Sequence, residues 1–218
     1  MKKITVLTTT FVMITFLNLT AFGQDQPEQM DEEFHQHDGF YLSMAIGPVF
    51  GSITDEVVGY PYEMDVSGTG IEFDFKIGGA IDENLILHAT LNGKVLSGPT
   101  IEITGYPSVQ APSSVSFNEV MLGGGLTYYV MPANIFFSGS LGIGRFSISN
   151  DNNSSAEVTT ETGFSMQVKV GKEWWVSDTW ALGIAVTYGK TNLTNSSGGI
   201  DEKLDSNRFG ILFNATFN

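Results

Sequence analysis

From Gly70 the chain reads Ile71-Glu72-Phe73-Asp74-Phe75-Lys76-Ile77, with every odd position apolar and every even position charged. A period of two places these sets on opposite faces of a β-strand and would scatter them around a helix, so the stretch Gly70 to Ala80 is expected as a strand. Seven more segments are patterned similarly, at about Phe40 to Phe50, Leu85 to Leu96, Phe117 to Val130, Ile135 to Ile148, Phe164 to Trp175, Trp180 to Thr191 and Asn207 to Phe217. Each is about 11 to 14 residues long. Typical soluble strands run to roughly 5 to 6 residues, whereas a tilted strand needs about 9 to 11 to cross a bilayer.

The connections alternate in length. Ile81-Asp82-Glu83-Asn84, Met131-Pro132-Ala133-Asn134 and Val176-Ser177-Asp178 are short enough for tight turns. Between them lie long, mostly polar gaps at Gly51 to Gly68, Ser97 to Ser116, Ser149 to Thr162 and Asn192 to Ser206. An even number of long strands, joined alternately by short turns and long loops, predicts an all-β fold: an eight-stranded antiparallel transmembrane up-and-down β-barrel with its turns on the periplasmic side.

Alternation alone also fits a soluble eight-stranded barrel of the lipocalin kind, with its apolar face inward around a ligand. Side-chain volume separates the two. One set of faces carries Phe73, Phe75, Leu87, Leu91, Leu122, Leu126, Ile184, Phe209, Ile211 and Phe213, and the opposite set carries Gly123, Gly125, Ser138, Ser140, Gly142, Gly144, Ala181, Gly183 and Ala185. The interior of an eight-stranded barrel has room for modest side chains only, so the bulky set is expected to face lipid. Aromatics gather beside the short turns, and Tyr128, Phe137, Trp174, Trp180 and Phe217 are the candidate interfacial girdle.

The chain opens Met1-Lys2-Lys3, runs through an apolar stretch from Ile4 to Phe22 and reaches Ala21-Phe22-Gly23 ahead of polar Gln24. This predicts a secretory leader over 1–23 with cleavage after Gly23; an uncleaved anchor helix is the alternative. There is no Cys, so neither a lipidated Cys nor a disulfide is available. Residues 24–38 are expected as an acidic periplasmic linker, and 39–218 as the barrel. Loss of Lys2 and Lys3 moves the formal charge from −14 to −16. A surface that acidic argues against nucleic acid as a partner.

The leader, the eight alternating segments, the asymmetry of the connections and the closing Arg208-Phe209-Gly210-Ile211-Leu212-Phe213-Asn214-Ala215-Thr216-Phe217-Asn218 resemble the outer-membrane β-barrel domain family of small OmpA- and OmpX-like proteins. The resemblance covers essentially the whole mature chain. It implies residence in the outer membrane of a Gram-negative cell, contact with outer-membrane lipid and lipopolysaccharide, and insertion by the barrel assembly machinery. It is a likeness of pattern and not of a catalytic motif, so it implies a fold and a location more firmly than an activity.

The inward set carries Glu72, Asp74, Glu119 and Glu173 against Lys76, Lys94, Lys169 and Arg208. Equal numbers of opposite charge are what a closed lumen needs, since a buried charge is tolerated when paired. The functional alternative is a narrow ion-selective pore. His88 is expected to point inward near the periplasmic end, away from any outer-leaflet lipid, so no catalytic residue is assigned. His35, His37 and Asp38 with Glu32 and Glu33 could bind a cation, but their spacing is unspecific and a solvated acidic linker is the simpler reading. The loops carry Asp55, Glu56, Glu63 and Asp65, then Asp151, Glu157 and Glu161, then Asp201, Glu202 and Asp205, a solvated rim that could also share cations with lipopolysaccharide phosphates. No metal site or cofactor is assigned, and the loop partner is left open.

Overall fold

The alternation seen between Ile71 and Ile77 continues, in the computed structural model, through a strand that begins at Glu63 and ends at Asp82. The structure describes residues 36–152, 158–197 and 199–218. Its strands are β1 (Phe40–Val57), β2 (Glu63–Asp82), β3 (Leu85–Ser97), β4 (Thr100–Ile103), β5 (Val109–Gln110), β6 (Val115–Val130), β7 (Ile135–Asn150), β8 (Val158–Thr159), β9 (Gly163–Trp175), β10 (Trp180–Ser197) and β11 (Ile200–Phe217). The leader over 1–23 and nearly all of the 24–38 linker lie outside the described residues.

Eight of the strands close a barrel in the order β1-β2-β3-β6-β7-β9-β10-β11, with β11 returning to pair β1 and every pairing antiparallel. Closure leaves no long unpaired edge, which is the condition for strands to sit in hydrocarbon. The remaining three are short: β4 and β5 build on the upper edge of β2, and β8 extends the ladder beside β7. Among the described residues no helix is long and apolar enough to cross a membrane.

Two of the expected long loops are corrected. The gaps at Gly51 to Gly68 and Asn192 to Ser206 are largely strand, because β1 pairs β2 from Phe40 to Glu56 and β10 pairs β11 as far as Ser197 and Ile200. Polar residues such as Thr54, Asp65 and Asn192 disguised these extensions, since they alternate with inward apolar residues Ile53, Val66 and Leu193 that pack into a common cluster. At 18 to 20 residues, β1, β2, β10 and β11 exceed what a bilayer requires and stand above it.

The short turns are built by local chemistry. Asn84 and Asn134 take the left-handed conformation at φ of 61° and 51°, which Asn tolerates better than most residues. Ser177 Oγ accepts from the Trp180 amide at 3.1 Å and so restrains the third turn.

Candidate functional site

The lumen is filled in three layers. At the turn end, Tyr41, Ile86, Tyr129, Phe136 and Ala185 form an apolar cluster, and the Tyr41 and Tyr129 hydroxyls approach to 3.4 Å. His37, ahead of β1, closes this end from below. Its ring stacks on Tyr129 at 3.5 Å and 14°, its Nε2 lies 2.8 Å from Asn134 Oδ1, and its amide donates to Asn84 Oδ1 at 3.5 Å. Burial holds the imidazole below its ordinary pKa, against the opposing pull of the Asn134 hydrogen bond. The two left-handed turn asparagines therefore both hold the same histidine.

The middle layer contains all eight charged residues of the inward set, each almost wholly buried. Asp74 Oδ2 accepts from Lys76 at 2.8 Å and from Lys169 at 2.7 Å. Lys76 also donates to Gln167 and Lys169 to Asn214. Glu119 forms ion pairs with Arg208 and with Lys94, the latter at 2.9 Å, and accepts from the Thr191 and Ser206 hydroxyls at 2.7 Å each. Arg208 further donates to Asn92 Oδ1 at 2.9 Å and faces Glu72 at 3.7 Å. Glu173 has no ion-pair partner among the described residues and is held instead by Asn214 and Thr216.

Several of these contacts cross the full barrel. Asp74 and Lys169 sit on β2 and β9, and Glu119 and Arg208 on β6 and β11; both pairs of strands lie opposite one another in the ring order. Two glycines make room for them. A Cβ on Gly189 would lie 2.3 Å from Arg208 Cζ, and one on Gly210 would lie 2.6 Å from Glu72 Oε2. Inward glycines in a strand are a readable sign of something large arriving from across a lumen, but only once the register identifies the arriving side chain.

His88 is buried beside this layer, with Nδ1 3.0 Å from Thr90 Oγ1 and Nε2 3.0 Å from Thr127 Oγ1. The hydroxyls continue to Ser140 and Ser138. Both imidazole nitrogens thus face neighbours inside the wall.

Above the charged layer lies an apolar layer that the sequence reading did not anticipate: Val49, Ile53, Val66, Leu96, Phe117, Phe146 and Leu193. Ile53, Val66 and Leu193 fall in stretches that read as loops, whereas Val49, Leu96, Phe117 and Phe146 lie near the ends of expected strands, so the layer they share was not visible. On top of it, Asp55 of β1 and Glu202 of β11 project into the mouth. Burial raises the Asp55 carboxyl above the usual carboxylate range, and the Glu202 charge adds to the effect.

The outer face is a band of exposed apolar side chains, including Ile46, Ile71, Leu87, Leu122, Leu141, Ile143, Ile211 and Phe213. Tyr128, Phe137 and Trp174 are exposed at its turn end; Trp180 and Phe217 are less so and meet edge to face at 5.4 Å. Lys172 points outward among them. Its ammonium donates to the Ala133 carbonyl and lies 5.4 Å over the Trp174 ring, a charge that reaches back from an apolar surface to the turn. Among the described residues no group of three or more His, Asp or Glu side chains is placed to hold a metal ion. Of the candidate cation ligands, His35, Glu32 and Glu33 lie outside the described residues, and the His37 ring is turned into the barrel end.

A closed ring of eight antiparallel strands, apolar outside and charged inside, is the fold of the small outer-membrane β-barrels. Solved structures of that class match it along most of their length. Neisserial surface protein A is 13% identical, with 82% of this chain and 96% of that chain covered at a TM-score of 0.52. The outer-membrane protein OprG from Pseudomonas aeruginosa is also 13% identical, with 84% and 98% covered at a TM-score of 0.52. No family model matches the sequence, and no curated protein does. The likeness to the small OmpA- and OmpX-like barrels is therefore one of fold.

Proposed function

We propose that this chain is an integral outer-membrane barrel of a Gram-negative cell whose closed body anchors surface-exposed strand ends, with a structural or surface-interaction role in the envelope and no enzymatic activity. The observation that carries this reading is the cross-braced ion-pair layer enclosed between two apolar layers. An ion entering the lumen would have to leave water, pass the Val49 to Leu193 cluster, and displace ammonium and guanidinium groups from Asp74 and Glu119. The apolar band supports a lipid environment of outer-membrane lipid and lipopolysaccharide, and insertion would fall to the barrel assembly machinery. His88, enclosed by hydroxyls within the wall, has no route to a substrate in the outer leaflet, which supports a role without catalysis.

A narrow ion pore is the second reading. It draws on Glu72 Oε2, Asp74 Oδ1, Glu173 Oε2 and Thr187 Oγ1, which are buried without a partner among the described residues and so mark places where water could enter the stack. Single-channel recording on the refolded protein in a planar bilayer separates the two. A silent bilayer is expected; steady conductance that changes with Lys94→Glu would replace the closed-body reading with the pore. Envelope fractionation with heat-modifiable electrophoretic mobility tests the placement: recovery from the outer-membrane fraction with a mobility shift on boiling is expected, and recovery as a soluble periplasmic protein would overturn it.

A further inference from the structure

We infer that the loop-side mouth of the barrel is a binding site for a small organic cation, an apolar amine whose hydrocarbon part enters the lumen and whose ammonium group meets Asp55. This goes beyond the envelope role and does not depend on whether the lumen conducts.

The site is a partly enclosed cavity of about 60 Å³ on top of the upper apolar layer, lined chiefly by Ile53, Val66, Phe117, Phe146 and Leu204, with Asp55 at its wall. That exceeds the roughly 10 to 15 Å³ of probe space that one water needs, and the lining is almost wholly apolar, so water there has few partners. A hydrocarbon group displaces such water favourably. The floor is closed by the same cluster that seals the ion-pair layer, so an occupant would enter and leave from the loop side.

Asp55 specifies the other half of the ligand. Its Oδ1 is shut off from water and has no partner among the described residues. Register places Asp55 opposite Met64 on β2 and Leu204 on β11, both apolar, so neither cross-strand neighbour can donate to it. The next inward acid, Glu202, receives a hydrogen bond from Asn195 at 3.2 Å and brings a second negative charge to the mouth. A part-buried carboxylate in an apolar wall, with another carboxylate nearby, favours a cationic donor over a neutral one and rejects an anion. Desolvation and the Glu202 charge both raise the Asp55 carboxyl, and a bound ammonium would relieve both costs.

The test is methyl NMR on the refolded full chain in nanodiscs, following the Ile53, Met64 and Leu204 methyl groups. Butylammonium is the probe, and 1-butanol, of equal chain length and no charge, is the comparison. Saturable shifts with butylammonium, at least about tenfold weaker binding of 1-butanol, and a loss of about tenfold in butylammonium affinity with Asp55→Asn are expected. Val66→Trp should fill the cavity and abolish the shifts. Heat-modifiable mobility establishes that each variant is folded, so failure of the site is distinguishable from failure of the barrel. Equal affinity for the alcohol and the amine, an unchanged response in Asp55→Asn, or no saturable shift in folded protein would overturn the proposal.

Discussion

Asp74 on β2 and Lys169 on β9 meet at 2.7 Å across the width of the lumen, and Lys76 reaches the same carboxylate oxygen from two residues along its own strand. One carboxylate oxygen thus serves two buried ammonium groups. Removing it strands both, and breaking a buried pair from one side costs about 3 to 5 kcal/mol. Asp74→Asn is therefore expected to destabilise the barrel by that amount in urea unfolding from phospholipid vesicles. Asp74→Asn combined with Lys169→Met should cost less than the sum of the two single changes, because the second removes one of the stranded charges. Additive effects would show that the two groups do not interact across the lumen.

Gly189 tests the same layer through packing. Its missing side chain is the space into which the Arg208 guanidinium folds, and Gly189→Val would force that group away from Glu119 and Asn92. Overpacking of this kind costs about 1 to 3 kcal/mol. Gly139, on the outward face of β7, has nothing within 4 Å of a built Cβ, so Gly139→Val is the matched control and should move the unfolding midpoint little. Equal effects at the two positions would mean that the Arg208 pocket is not tightly built.

The barrel was legible because alternation over Ile71 to Ile77 and its repeats specifies faces as well as strands. Volume then decided which face could turn inward, and the charged inward residues followed from parity alone. Partnership did not follow. Whether Lys169 meets Asp74 or Glu173 depends on the shear between β2 and β9, which no local pattern encodes, and Glu173 in fact rests on Asn214 and Thr216. The upper apolar layer was hidden for a different reason. Thr54, Asp65 and Asn192 stand above the bilayer, so their outward positions are polar, and strands with polar outward faces read as loops even though Ile53, Val66 and Leu193 keep the inward period. His37 was hidden by its surroundings in sequence, since an acidic segment gives no hint that one ring docks on Tyr129.

That docking is pH-dependent. An undocked imidazole titrates near pH 6.5, whereas burial lowers the docked value. Docking thus favours the neutral ring. Its contribution is fully present above about pH 6.5 and is lost progressively as pH falls from there towards the depressed docked value. Hydrogen exchange at the amides of His37 and Asp38 should accelerate relative to the barrel strands as pH is lowered from 7.5 to 5.5, after correction for intrinsic exchange rates. His37→Phe, which keeps a ring without a titrating group, should abolish that dependence. A pH response that survives in His37→Phe would place its origin in another group.

The lipid-facing assignment makes the last prediction depend on depth. Leu122 is 59% exposed and lies in register between Leu91 and Ile143, both also outward, so it sits within the apolar band. Val130 is outward too, but it borders the turn that begins at Met131, on the side where Lys172 already reaches the Ala133 carbonyl. An Arg near the middle of the hydrocarbon costs about 2 to 4 kcal/mol, while one near an interface costs about 0 to 1 because its head group can reach water. Leu122→Arg should therefore destabilise the vesicle-embedded protein by the larger amount and Val130→Arg by the smaller. A soluble barrel would show no such gradient, since both positions would meet water and the substitutions would cost little at either. Urea titration of the two variants decides it: costs that are equal and small would mean that this face does not meet lipid.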